Sequence, residues 1–277
     1  MSLLLGALTG ICGCALVDGA ILQPPPPQYD DGPQILKIPV PGTAEILSAI
    51  YLANPAARFV VLFSHGTGDD LGEVGGDIQD LRTHGYAVFA YDYEGYGTST
   101  GRPSEDAVYR DAEAAYAYLV EDLGVDPSRI IVQGFSLGGA PSVYLASRHA
   151  VRGLVLESTF VDALRVPRLP RVPFHRFDNV SRMADVHCPV LIMHSRDDPV
   201  IGFWHAEALL ESVNGPKRLI AFDSGGHGDA SKLESARYWS ALAQFTASLG
   251  APKIASGVAR SGPLLAAKTL RASRVPE

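Results

Sequence analysis

The sequence predicts an α/β fold: one domain built on a mostly parallel sheet with helices on both faces. Three observations carry this. From Arg58 onward, short apolar runs alternate with helix-like segments, the rhythm of strands joined by crossover helices. The run Ile130-Ile131-Val132-Gln133 breaks at Gly134-Phe135-Ser136-Leu137-Gly138, and Ala140, Val143, Tyr144 and Ala146 follow at helical spacing, so this stretch reads as strand, sharp turn, helix. A chain of 277 residues with 47% hydrophobic content can also bury one substantial core.

Residues 1–34 form an apolar N-terminal segment and a Pro-rich spacer. Residues 1–22 contain no Lys or Arg and one acidic residue, Asp18. The uninterrupted apolar part is about 15 residues, short of the roughly 20 that a spanning helix needs, and the basic start of a secretory signal is missing. Two readings stay open. Cys12 and Cys14 are candidate acylation sites, since two acyl chains anchor a protein stably where one binds marginally. The alternative is an element packed on the domain. Pro24 to Pro27 favour an extended polyproline backbone, a semi-rigid spacer.

The domain spans 35–250. Ile35 to Val40 and Ile46 to Leu52 read as a hairpin around a Pro-Gly turn. Phe59 to Phe63, Tyr86 to Tyr91, Ile130 to Phe135, Val151 to Leu156, Val190 to His194 and Leu219 to Phe222 read as strands, with helical patterns over Leu71 to His84 and 105–123. Residues 158–188 break the rhythm and read as a functional loop insertion over the sheet. Arg165, Arg168 and Arg171 recur there between prolines, and a polyproline backbone would align them in a basic stripe facing anionic lipid or an acidic substrate; the plain alternative is a solvated loop. Residues 251–277, rich in Ala, Ser, Gly and Lys/Arg, have the composition of a disordered tail.

A formal charge of -7 and a pI near 5.6 argue against a general nucleic-acid binder. Cys12, Cys14 and Cys188 cannot build a disulfide framework, and no Cys/His spacing resembles a zinc site. Cys188, before a proline and an apolar strand, reads as a small buried residue.

The chemistry centres on Ser136. A serine hydroxyl is a poor nucleophile unless it stands beside a base, and a tight strand-to-helix turn exposes it. Glycines at 134 and 138 make room for the neighbouring strand and helix, and the N–H of Leu137 at the helix start is free to stabilise an oxyanion. A second Gly-x-Ser-x-Gly, Gly97 to Gly101, places Ser99 in a loop among Gly, Tyr and Thr, without strand or helix context. Among eight histidines, His227 in Gly225-Gly226-His227-Gly228 lies just past the last strand, where catalytic loops collect, and is assigned as base. His65 is assigned to shaping the oxyanion loop and His194 to the core. The carboxylate that orients His227 is expected after the Val190 strand: Asp198, ahead of Asp197, which suits a helix cap. The second oxyanion donor is the main-chain N–H of Thr67 in Ser64-His65-Gly66-Thr67-Gly68, where side-chain identity is expected to matter little. This chemistry needs no metal and no cofactor.

The segments His65-Gly66, Tyr91 to Ser99, Gly134 to Gly138, Arg196 to Val200 and Gly226-His227 stand in the order of the α/β-hydrolase superfamily, which the chain resembles over roughly 35–250. The order Ser136, Asp198, His227 is likewise that of α/β-hydrolases. Gly101-Arg102-Pro103-Ser104, the N-terminal cysteines and the Pro-rich segment ending in Tyr29 resemble the α/β-hydrolase-domain-17 depalmitoylases. The resemblance implies an eight-stranded, mostly parallel sheet with one early antiparallel strand and no large cap domain. It also implies an acyl-enzyme on Ser136 and cleavage of palmitoyl-cysteine thioesters on acylated proteins, at the cytoplasmic side of a membrane. The chain departs from that group in a sparser N-terminal cysteine cluster, in Ser195 after His194 where the group has Gly, and in Gly228 where it has Asn. A small-molecule carboxylesterase, a peptidase of the same fold, and a non-catalytic binding protein are the alternatives.

Overall fold

The structure, a computed structural model, describes residues 16–169 and 173–251. Eight strands form one sheet: β1 (Leu36–Pro39), β2 (Ile46–Leu52), β3 (Val60–Ser64), β4 (Ala87–Tyr91), β5 (Ile130–Phe135), β6 (Gly153–Glu157), β7 (Val190–Ser195) and β8 (Lys217–Phe222). Their order is β1-β2-β4-β3-β5-β6-β7-β8. β2 runs antiparallel to both of its neighbours and the remaining pairs are parallel, as expected.

The central strands are continuous apolar runs because both of their faces are covered. Side chains alternate across the sheet: Leu62, Val132, Leu156 and Ile192 enter one buried cluster, while Val61, Ile131, Val155 and Leu191 enter the other. The first cluster is closed by α2 (Glu105–Ala117), α3 (Gly139–Arg148) and α4 (Trp204–Ser212); the second by α1 (Gly75–Thr83) and α5 (Ser235–Ser248). Helix α1 starts four residues later than the pattern from Leu71 suggests, because Asp70 caps a turn there, accepting the N–H groups of Gly72 and Glu73. Helix α2 begins where Ser104 accepts the Ala107 N–H, and ends in a π-helical turn over Tyr118–Asp122 before Gly124 at φ +67°.

Among the described residues the insertion after β6 forms no separate cap domain. Phe177 and Asn179 are fully buried, the Asn179 amide donates to the Phe160 carbonyl, and Glu105 accepts the Phe177 N–H. Among the described residues the aligned arginine stripe is not supported: Ala163–Arg165 is a 3₁₀ turn and Arg168 sits at φ +75°, so no continuous polyproline backbone joins these two arginines. Arg171 lies outside the described residues.

Residues 16–21 are helical, with Val17, Ile21 and Leu22 buried in the first cluster and Asp18 paired with Arg176 at 3.0 Å. The proline run that follows is mostly exposed and is tied to the domain at its two ends, by the Gln23 N–H at Thr67 and the Gln28 N–H at Asp70. Among the described residues no helix is long and apolar enough to cross a membrane. Cys12, Cys14 and the C-terminal tail from residue 252 lie outside the described residues.

Candidate active site

Strand β5 ends in a turn whose geometry is imposed by glycine. A Cβ on Gly134 would strike the Gly138 carbonyl, and one on Gly138 the Ser64 carbonyl, so strand, turn and helix approach more closely than any side chain permits. Ser136 takes φ +52°, a left-handed conformation that costs a non-glycine residue on the order of 1–3 kcal/mol. Its carbonyl accepts the Thr159 hydroxyl at 2.7 Å, which holds the turn from the β6 side. Ser136 and Leu137 open a short 3₁₀ turn that leads into α3, so the Leu137 N–H belongs to the unpaired set at a helix start.

His227 reaches this turn from the loop after β8. Its Nε2 lies 2.9 Å from Ser136 Oγ and its Nδ1 2.9 Å from Asp198 Oδ2. The loop can bring it there because Gly225 and Gly226 take φ +137° and +50°. Asp197, the alternative acid, instead accepts the Gly226 N–H at 2.9 Å and holds the loop. Asp198 Oδ1 accepts the N–H groups of Val200 and Ile201 at 2.8 and 2.9 Å. Burial alone would raise the Asp198 pKa, but hydrogen bonds from His194, His227 and the Ile201 N–H hold it well below the carboxylate range. The carboxylate therefore stays ionised beside the imidazole.

His194 carries more than packing. Its Nε2 lies 2.7 Å from the Ile201 carbonyl and 3.3 Å from Asp198 Oδ2, and both side chains are fully buried. Sequence reading assigned it to the core alone; its place four residues before Asp198 at the end of β7 was the available signal. Phe135 is a second such residue. Its ring centroid is 5.2 Å from that of His227, and Gly66 and Gly228 both abut it, so one aromatic ring separates the loop after β3 from the histidine loop.

In the loop after β3, the Gly66 N–H donates to Asp69 and the Thr67 hydroxyl to the Ile21 carbonyl. His65 is buried, with Nδ1 2.8 Å from the Gly66 carbonyl and Nε2 3.3 Å from Asp92, a structural position. Ser99, in the second Gly-x-Ser-x-Gly, donates to the Asp92 carbonyl and accepts the Ser48 N–H, so its hydroxyl is committed to a turn. His84 stacks on Trp239, and His149 pairs with Glu113. The Cys188 thiol is pushed up to about 12 by burial, which makes it a poor nucleophile. Asp162, His175 and Asp178 bring potential ligand atoms within 4.8 Å of one another, but both carboxylates already cap turns, at Leu164 and Ser181.

The arrangement holds a hydroxyl, an imidazole and an ionised carboxylate in line, at the carboxyl ends of β5, β7 and β8. A family model described as serine aminopeptidase S33 matches residues 55–180. The α/β hydrolase domain-containing protein 17B of Xenopus laevis is 36% identical over 197 residues, 70% of this chain and 68% of the relative. Protein 17C of Xenopus tropicalis is 38% identical over 69% of this chain and 63% of its own length. The human 17B protein is 36% identical over 64% of this chain and 62% of its own. Among solved structures, the Pyrococcus furiosus esterase Pf2001 superposes with a TM-score of 0.70 at 17% identity, covering 82% of this chain and 98% of the esterase. A Paleococcus ferrophilus monoacylglycerol lipase gives 0.61 at 20% identity, over 73% and 99%. These structural likenesses speak to the fold.

Proposed function

The chain belongs to the α/β-hydrolase domain-containing 17 family, and from this and the site geometry we propose that it is a serine hydrolase of carboxylic esters or thioesters. The observation that carries the reading is the Ser136–His227–Asp198 chain of hydrogen bonds at 2.9 Å each. Ser136 Oγ attacks the acyl carbon while His227 Nε2 takes its proton; Asp198 stabilises the imidazolium and stays ionised. The N–H groups of Thr67 and Leu137 receive the developing oxyanion. His227 returns the proton to the leaving thiol or alcohol, and water then repeats the cycle on the acyl-enzyme. No metal or cofactor takes part.

The substrate we favour is a long-chain acyl thioester on a protein cysteine, palmitoyl-cysteine first. The likeness to the domain-17 group and the apolar N-terminal segment with Cys12 and Cys14 support this, with peripheral association at the cytoplasmic face of a membrane. A peptidase is the second reading, favoured by the description of the matching family model.

Fluorophosphonate labelling of the parent, Ser136→Ala and Ser99→Ala tests the class. Labelling lost only in Ser136→Ala supports a serine hydrolase; a folded parent that stays unlabelled favours a non-catalytic binding protein. Turnover of palmitoyl against acetyl thioesters and a peptide amide then ranks the substrates, and preference for the amide would sink the thioesterase assignment.

A further inference from the structure

The loop that carries the Thr67 donor is not held by the sheet alone. Thr67 stands between Gly66 and Gly68, so neither neighbour offers a side chain to fix the intervening peptides. The Gly66–Thr67 peptide is held from inside the loop, its carbonyl lying 2.8 Å from His65 Nδ1 and accepting the Asp69 N–H at 3.4 Å, while from outside the loop the Thr67 hydroxyl anchors it, donating to the Ile21 carbonyl at 2.6 Å and accepting the Gln23 N–H at 3.2 Å. The Tyr96 hydroxyl lies 3.4 Å from the same oxygen.

The partner strand of chain is itself anchored on either side. Upstream, Ile21 and Leu22 are buried and the Asp18–Arg176 pair ties the helical residues 16–21 to the insertion after β6. Downstream, the Gln28 N–H donates to Asp70 and the Tyr29 hydroxyl to Asp92, whose other oxygen accepts the Leu71 N–H. A Cβ on Gly72 would meet the Gln28 carbonyl at 2.7 Å. Residues 18–29 thus run along the oxyanion loop as a strap, touching it at Thr67, Asp70 and Gly72.

We propose that Thr67 is a positioning residue whose hydroxyl, seated on strap residues Ile21 and Gln23, holds its own main-chain N–H at the oxyanion position. The N-terminal strap is then a working part of the active site. The inference rests on the hydrolase reading above. It also reverses the expectation that side-chain identity at 67 matters little: the donor is main chain, but its placement is set by the side chain. A preorganised donor stabilises the transition state more than the bound ester, so its displacement lowers kcat and spares KM.

The test uses the 277-residue chain, with Thr67→Val, Thr67→Ala and Thr67→Ser assayed on p-nitrophenyl octanoate and by the rate of fluorophosphonate labelling. All three variants keep the N–H, so any loss reports where the donor sits. Val is the isosteric change, and Ala leaves room for water should Val disturb folding. The expected result is a loss of about 10- to 100-fold in kcat for Val and Ala, with KM within about twofold and the pH profile unmoved. Thr67→Ser, which keeps the hydroxyl, stays within about threefold of the parent. Hydrogen exchange in peptides covering 64–70 rises in Val and Ala and not in Ser. Folded Val and Ala variants that turn over within about threefold of the parent, or that change only KM, overturn the inference while leaving the hydrolase reading in place. A Ser variant as impaired as Val overturns it too. A parent that never reacts at Ser136 overturns both, and the absence of labelling in every sample identifies that case.

Discussion

Replacing Asp198 by Asn tests the site most sharply, because the surroundings dictate which way the amide must face. Asp198 Oδ1 accepts two main-chain N–H groups, from Val200 and Ile201, so that position has to remain an oxygen. The amide NH₂ is then driven to the Oδ2 position, 2.9 Å from His227 Nδ1 and 3.3 Å from His194 Nε2. Two donors face one another unless His227 gives up its Nδ1 proton. The imidazole responds by carrying its proton on Nε2, against Ser136 Oγ, where a base is needed. Wrong tautomer and lost imidazolium stabilisation together cost about 10⁴-fold in kcat in the serine protease template, or roughly 5 kcal/mol of barrier. Steady-state hydrolysis of a p-nitrophenyl ester, on protein whose thermal unfolding matches the parent, measures it. A folded Asp198→Asn variant that retains a tenth of parental turnover would refute both the tautomer argument and the role given to Asp198.

Two further outcomes follow from the packing. Gly138→Ala places a methyl on the Ser64 carbonyl, backbone against backbone with no flexible side chain to yield; overpacking of this kind costs about 3 kcal/mol, a fall of about 6–12 °C in Tm for a domain of this size, and an unchanged Tm would contradict the close approach. Glu157 at the end of β6 is buried, with its pKa pushed up to about 7 chiefly by burial, against a donated hydrogen bond from Tyr238. Its folded-state pKa lies above the unfolded value of 4.5, so the folded state binds the extra proton and stability falls as pH rises from about 4.5 to 7. Glu157→Gln removes that loss: its Tm gain over the parent should be near zero at pH 4 and largest at pH 8, and a gain that does not vary with pH would rule the titration out.

Much of the site was legible along the chain. β2 and β5 have the bounds read from the apolar runs, since a strand covered on both faces is a continuous hydrophobic stretch wherever it occurs. The turn at Ser136 was separable from its twin at Ser99 by context, and the twin proves to be a hydrogen-bonded turn on Asp92 and Ser48. His227 and Asp198 were legible because each stands just past a strand, among residues that permit a tight loop. The arginine stripe failed for a local reason: spacing between prolines says nothing of the intervening φ angles, and Arg168 turns left-handed.

By itself the sequence determined the order of strands and helices, the tight turn at Ser136 and which side chains stand at the carboxyl ends of strands. These are properties of neighbouring residues: periodicity, glycine at a crowded turn, a cap before a helix. Tertiary structure alone decided which atoms meet. The bond from His227 to Ser136 spans 91 positions, and the Gln23 contact with Thr67 spans 44. The acid, legible from its place past β7, is likewise held by contacts the sequence does not show: two N–H groups of its own loop and the ring of His194 fix the Asp198 carboxylate against the imidazole. No local pattern encodes such contacts, because they depend on how the sheet twists and where the loops above it come to rest.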